Sequence, residues 1–167
     1  MLETERLSLE PWKADDWVAF RPIAADPEVM RHINGGVPWS DDEIRLFVER
    51  QIALYQERGF CRWKLIEKAS GGLIGFCGVG RWRGYPELEI GWWLAREWWG
   101  RGLATEAAHA ALEDVFKRAE LDRVISIARP ANVASIRIMR KLGMRFVRAF
   151  ENEGVALVQY GIDRETG

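Results

Sequence analysis

The order of apolar and polar residues divides this chain into short strand patterns separated by helical ones. Between Arg6 and Trp12 the apolar positions fall on every second residue, at Leu7, Leu9 and Pro11, which predicts a first strand. From Asp15 to Met30 the spacing turns helical, carried by Trp17, Phe20 and Ile23 and interrupted by Pro22 and Pro27. The run Asn34-Gly35-Gly36-Val37-Pro38 has the chemistry of a loop. Ser40 followed by Glu43 matches a capping box, so a helix opens there on Ile44, Phe47, Val48, Ile52 and Tyr55 and closes before Gly59. Asp41, Asp42 and Glu43 belong to the first turn of that helix rather than to a cation site.

Phe60 to Ile66 and Leu73 to Trp82 read as two strands joined by a turn at Ser70-Gly71-Gly72, and Glu87 to Leu94 as a third after Pro86. A helix follows from Leu103 to Ala119, with Ala104, Ala107, Ala108, Ala111, Leu112 and Val115 along one stripe. Arg123 to Ala128 is a strand, Val133 to Leu142 a helix stopped by Gly143, and Met144 to Phe150 and Val155 to Ile162 close the chain as strands. No repeat or linker interrupts the series, so residues 1–167 are expected to form a single α/β domain.

Composition narrows the functional classes. A chain of 167 residues can bury roughly 70% of its unfolded surface, enough for a full core. Apolar residues at 48% and charged residues at 29% exclude a disordered chain. The net charge of −1 gives no global field for nucleic acid or an anionic membrane. No apolar run approaches the roughly 20 residues of a membrane span, and Met1 to Trp12 has no leader pattern, so a soluble cytoplasmic protein is expected. Cys61, Cys77, His32 and His109 lack metal-ligand spacing, so neither a disulfide framework nor a metal site is expected. Each cysteine falls in a strand-like run and reads as a buried free thiol. Nine Trp residues are many for this length, and some are expected to line a groove while others pack the core.

Three segments carry candidate chemistry. In Glu87–Leu94 the residues Leu88, Ile90, Trp92 and Leu94 share one face, and Glu87, Glu89, Gly91 and Trp93 the other. Two carboxylates beside a glycine leave room for a reactant next to the backbone; a solvated face of an edge strand would give the same pattern. Trp99-Gly100-Arg101-Gly102-Leu103-Ala104-Thr105 then leads into a helix, where converging N–H groups and the helix dipole favour an anion. The segment is neither a Walker A loop nor a complete dinucleotide fingerprint. Asn132 heads the last helix as an N-cap, and Ser135 lies one turn in, on the face of Met139.

Taken in order, LETERLSLEPW, ELEIGWWL, WWGRGLATEA and NVASIRIMRKLGM resemble the GNAT superfamily of acyl-CoA-dependent N-acetyltransferases, in its RimJ/RimL-like branch. The resemblance runs over essentially the whole chain. It implies a mixed, mostly antiparallel sheet of about six to seven strands flanked by about four helices, splayed between the fourth and fifth strands. It also implies acetyl-CoA as cosubstrate. Backbone N–H groups of Trp99 to Thr105 would cradle its pyrophosphate, and Trp93, Leu94 and Ala95 would bond the pantetheine arm. An N–H near Trp93 or Leu94 would polarise the acetyl carbonyl. Asn132 and Ser135 would face the sulfur end. Two positions depart from the common pattern: Trp99 opens the turn in place of Gln or Arg, and Met139 stands where many members carry a Tyr acid.

The reaction so implied is direct attack of an amine, with Glu89 as first and Glu87 as second candidate for its deprotonation. Water or Ser135 would protonate the leaving thiolate, a tolerable leaving group at a thiol pKa of about 8.5. The acceptor would be a protein N-terminal amine, such as that of a ribosomal protein, or a small amine. Its pocket would be built from the first two helices, the Asn34–Trp39 loop and the last hairpin, with aromatic surface from Trp12, Trp17, Trp39 and Trp82. A CoA-binding module without catalysis and a nucleotide-binding α/β protein are the competing readings. The chain would be a monomer or a homodimer.

Overall fold

The computed structural model describes residues 1–82 and 84–165. Eight strands form one sheet in the order β1-β2-β3-β4-β5-β6-β8-β7. They are β1 (Leu2–Glu3), β2 (Leu7–Glu10), β3 (Arg62–Glu67), β4 (Leu73–Arg81), β5 (Leu88–Leu94), β6 (Arg123–Ala128), β7 (Arg145–Asn152) and β8 (Val155–Asp163). Four helices accompany them: α1 (Trp17–Ala24), α2 (Asp41–Arg58), α3 (Leu103–Lys117) and α4 (Val133–Lys141). All neighbouring strands run antiparallel except β5 and β6, which are parallel and share a single pair, Glu89 opposite Ile125. The expected mixed sheet, four helices and splay are therefore present. The eighth strand is the two-residue β1, too short to leave a periodic signal.

Local chemistry explains most element ends. The Ser40 hydroxyl accepts from the Glu43 N–H at 3.2 Å and the Glu43 carboxylate accepts from the Ser40 N–H at 3.0 Å, which fixes the start of α2. The helix stops at Gly59 in the left-handed conformation. Asn132 caps α4, its side-chain oxygen accepting from the Ser135 N–H at 3.3 Å.

The helix expected over Asp15–Met30 is shorter. A 3-10 turn over Ala14–Asp16 leads into α1, which ends at Ala24. Pro27 would clash with the preceding turn, so Val29 and Met30 reach the core from successive turns. β5 likewise begins at Leu88, which leaves Glu87 in an exposed bend after Pro86.

Helices α1 and α2 bring an aromatic cluster onto the sheet. Phe20, Phe47, Phe76 and Trp93 meet with ring centroids between 5.0 and 6.4 Å apart, and Trp12 joins edge-on to Phe20 and Phe47. Burial of each large side chain contributes about 1.5–3 kcal/mol. Cys61 and Cys77 are buried and free, as expected. Burial pushes the Cys61 thiol from 9.0 up to about 12 and raises that of Cys77 as well. Among the described residues no helix is long and apolar enough to cross a membrane.

Candidate active site

A cavity of about 1080 Å³ opens where β5 and β6 part. Its floor includes Phe47, Phe76 and Trp93, and its far wall includes Leu157 of the β7–β8 hairpin. Of the expected catalytic residues, Glu89 and Ser135 line it; Glu87 does not. Asn132 and Trp93 line it as well, whereas Leu94, Ala95 and the Trp99–Thr105 turn lie outside the lining and follow from the end of β5. Trp39 and Trp82 contribute aromatic surface as expected. Trp12 and Trp17 do not. The Trp12 indole is buried and donates to the Arg62 carbonyl, and Trp17 packs beneath the Arg45 guanidinium at 4.2 Å. Helix α1 therefore supports the cavity from behind, and the wall on that side comes from α2 and the His32–Trp39 segment.

Glu89 is 6% exposed on an interior strand rather than on a solvated edge. One carboxylate oxygen, Oε1, accepts from Arg62 Nη2 at 2.7 Å, and Oε2 accepts from the Ile127 N–H at 3.1 Å. The Arg62 side chain is 15% exposed and fits because Gly80 and Gly91 carry no side chain; a Cβ at Gly80 would lie 3.2 Å from its guanidinium carbon. The Arg62 N–H is held in turn by the Gln51 side-chain oxygen at 2.9 Å. Arg62 Nε is buried and has no hydrogen-bond partner among the described residues.

Nothing in the residue pattern singles out Arg62. It alternates with Trp63 in a pattern that resembles a solvated face, and its partner lies 27 residues away. Ser126, on the facing strand, was equally silent. It is 2% exposed, and its hydroxyl donates to the Ile90 carbonyl at 3.0 Å.

Strand alternation assigns the free edge of β5. The Ala95 N–H donates to the Ile74 carbonyl at 2.9 Å, so with Leu94 opposite Gly75 the odd-numbered residues of β5 point their backbone groups at β4. Trp92 and Leu94 therefore present their N–H groups to the gap. The N–H of Trp93, offered above as an alternative to that of Leu94, is turned toward β4.

Beyond β5 the chain makes a 3-10 turn at Arg96–Trp98 and reaches Gly100 and Gly102, with φ of 73° and 75°. Those left-handed conformations suit glycine and aim the backbone outward before α3 begins. Gly102 is the N-cap of α3 and has no side chain to satisfy the first N–H groups, which leaves them and the dipole for an anion. The turn is tied at both ends. The Trp99 indole N–H donates to the Leu94 carbonyl at 2.8 Å, and Arg6 Nη1 donates to the Arg101 carbonyl at 2.9 Å. Arg6 also pairs with Glu106 at 2.8 Å. Although partial burial opposes it, hydrogen bonds from Thr4 and Arg6 hold the Glu106 carboxyl below its ordinary 4.5.

Such a site offers a buried carboxylate, a strand edge with spare N–H groups and an outward-facing turn at a helix start. These are the parts needed to bind an extended, phosphate-bearing ligand and deprotonate a nucleophile beside it. The family model described as acetyltransferase (GNAT) domain matches residues 6–145. YnaD of Bacillus subtilis, an uncharacterized N-acetyltransferase, is 32% identical over 144 residues, covering 86% of this chain and 82% of that protein. A GNAT-family acetyltransferase structure from Bacillus anthracis superposes with a TM-score of 0.83 at 28% identity, covering 99% of each chain. A structure of RimL, the ribosomal L7/L12 alpha-N-protein acetyltransferase, in complex with coenzyme A superposes with a TM-score of 0.80. It covers 96% of this chain and 95% of that one, and at 18% identity it speaks to the fold alone.

Proposed function

Since the chain belongs to the GNAT acetyltransferase family, an N-acetyltransferase group, we propose that it acetylates a primary amine by direct attack, with Glu89 assisting deprotonation. The acceptor in this reading is a protein N-terminal α-amine, such as that of a ribosomal protein, or a small amine. When bound, acetyl-CoA supplies the thioester whose carbonyl the acceptor nitrogen attacks.

The chain's own residues fit that cosubstrate. The Gly100–Thr105 backbone receives the pyrophosphate at the start of α3, with Arg101 adding charge. The Leu94 N–H bonds the pantetheine arm along the open edge of β5. The Trp92 N–H, within the cavity and nearer Glu89, polarises the carbonyl oxygen. Glu89 takes the ammonium proton, directly or through one water. Ser135, or water beside it, returns a proton to the thiolate. Asn132 keeps Ser135 in place by capping α4. Holding both reactants in one cavity supplies much of the acceleration.

The observation that carries this reading is the buried Glu89 carboxylate at the point where the sheet opens into the cavity. It is tested with Glu89→Gln. The expected outcome is a fall of about 10²-fold in the rate at saturating substrates, with acetyl-CoA still raising the melting temperature. An unchanged rate at every pH removes Glu89 as the base. No thermal shift of the wild-type protein at millimolar acetyl-CoA removes the transfer reading itself.

A further inference from the structure

The opening between β5 and β6 is held by side chains that occupy one missing backbone hydrogen bond. On β6 the Arg164 N–H donates to the Asp122 carbonyl at 2.8 Å, which extends the β6–β8 ladder. With Arg123 opposite Asp163, even-numbered residues of β6 thus point at β8 and odd-numbered residues at β5. The single parallel pair, Glu89 with Ile125, fits this alternation. Had the ladder continued one step, the Ile127 N–H would donate to the Ile90 carbonyl. It does not. The Ile127 N–H donates to Glu89 Oε2 at 3.1 Å, and the Ile90 carbonyl accepts from the Ser126 hydroxyl at 3.0 Å.

We propose that Glu89 and Ser126 form a pair of caps that hold the transfer site open, and that Ser126 is a positioning residue for acetyl-CoA. Each cap satisfies one half of the bond that would otherwise draw the strands together. A buried backbone group without a partner is costly, so the uncapped strands favour closing the bond between them. Closure at Ile90–Ile127 would narrow the gap just before the N–H groups of Trp92 and Leu94. Arg62 steadies the arrangement from the β4 side by holding the other oxygen of Glu89. Glu89 thus has a second task besides deprotonation, and a Glu89 variant can lose activity through either.

The inference rests on the transfer reading above and is tested apart from it. Ser126→Ala is expected to raise the KM and Kd for acetyl-CoA about tenfold, the size of one lost hydrogen bond. Affinity for adenosine 3′-phosphate 5′-diphosphate, which reaches only the turn, is expected to stay within about twofold. Ser126→Thr and Ser126→Val share a shape and differ in the hydroxyl. Threonine is expected to bind acetyl-CoA more tightly than valine by about tenfold, which separates the cap from any packing defect. Equal affinity of the threonine and valine variants overturns the proposal. So does a parallel loss of the nucleotide fragment and acetyl-CoA. A wild-type protein that fails to bind acetyl-CoA overturns the transfer reading and this one together, whereas wild-type binding matched by Ser126→Ala overturns only this one.

Discussion

Strand β5 has two neighbours and meets them differently. Toward β4 it is paired along its whole length, from Leu88 opposite Arg81 to Leu94 opposite Gly75. Toward β6 it is paired once. On the β4 flank the backbones approach so closely that side chains must be absent: a Cβ at Gly75 would collide with the Trp93 carbonyl of β5. On the β6 flank the backbones part, and side chains take over the hydrogen bonding. One flank is thus specified by what glycine leaves out. The other is specified by what Glu89 and Ser126 put in. A continuous ladder stores stability, and an interrupted one makes room for chemistry.

The largest test of this contrast lies on the closed flank. Gly75→Ala forces a methyl against the β5 backbone and is expected to cost about 3 kcal/mol, read from urea denaturation. A tolerated alanine there would break the comparison. Next comes the turn that continues the open flank. Gly102→Ala places a side chain at a φ of 75°, with an expected cost of about 1–2 kcal/mol and weaker acetyl-CoA binding by isothermal titration. If stability falls while affinity holds, the turn is structural only.

The smallest effect concerns two buried thiols, Cys77 in β4 and Cys61 just before β3. Their pKa values are raised in the fold, so the neutral thiol is the favoured native form. The unfolded chain then loses protons first as pH rises, and stability must decline. Their contribution is complete below about pH 9 and is lost as pH rises toward the folded values, which for Cys61 is about 12. The urea midpoint is expected to be lower at pH 10 than at pH 8. Iodoacetamide is expected to leave both thiols unmodified at pH 8 until denaturant is added.

Local signals were legible and long-range ones were not. The capping box at Ser40 and Glu43 and the limits of β6 could be read because neighbouring residues determine them. The helical spacing of Trp17, Phe20 and Ile23 does not show where α1 stops: the helix ends at Ala24, and buried Val29 and Met30 sit in turns beyond Pro27. Glu89 could be singled out because strand alternation sets it beside Gly91. Glu87 shares that alternation on paper, but the strand starts one residue too late to include it. Arg62 and Ser126 gave no signal. A charged residue alternating with apolar ones looks solvated, and a serine within an apolar strand looks incidental. Their roles exist only once β3 and β6 are brought against β5.

The side-chain bridge between β5 and β6 also bears on how such a protein can diverge. A backbone ladder is indifferent to sequence, so its spacing is inherited with the fold. A spacing set by one carboxylate and one hydroxyl is written in two codons. Point changes at Ser126 can therefore narrow the reactant channel while the rest of the sheet is kept, whereas Glu89, which also takes the proton, is held in place by two tasks at once.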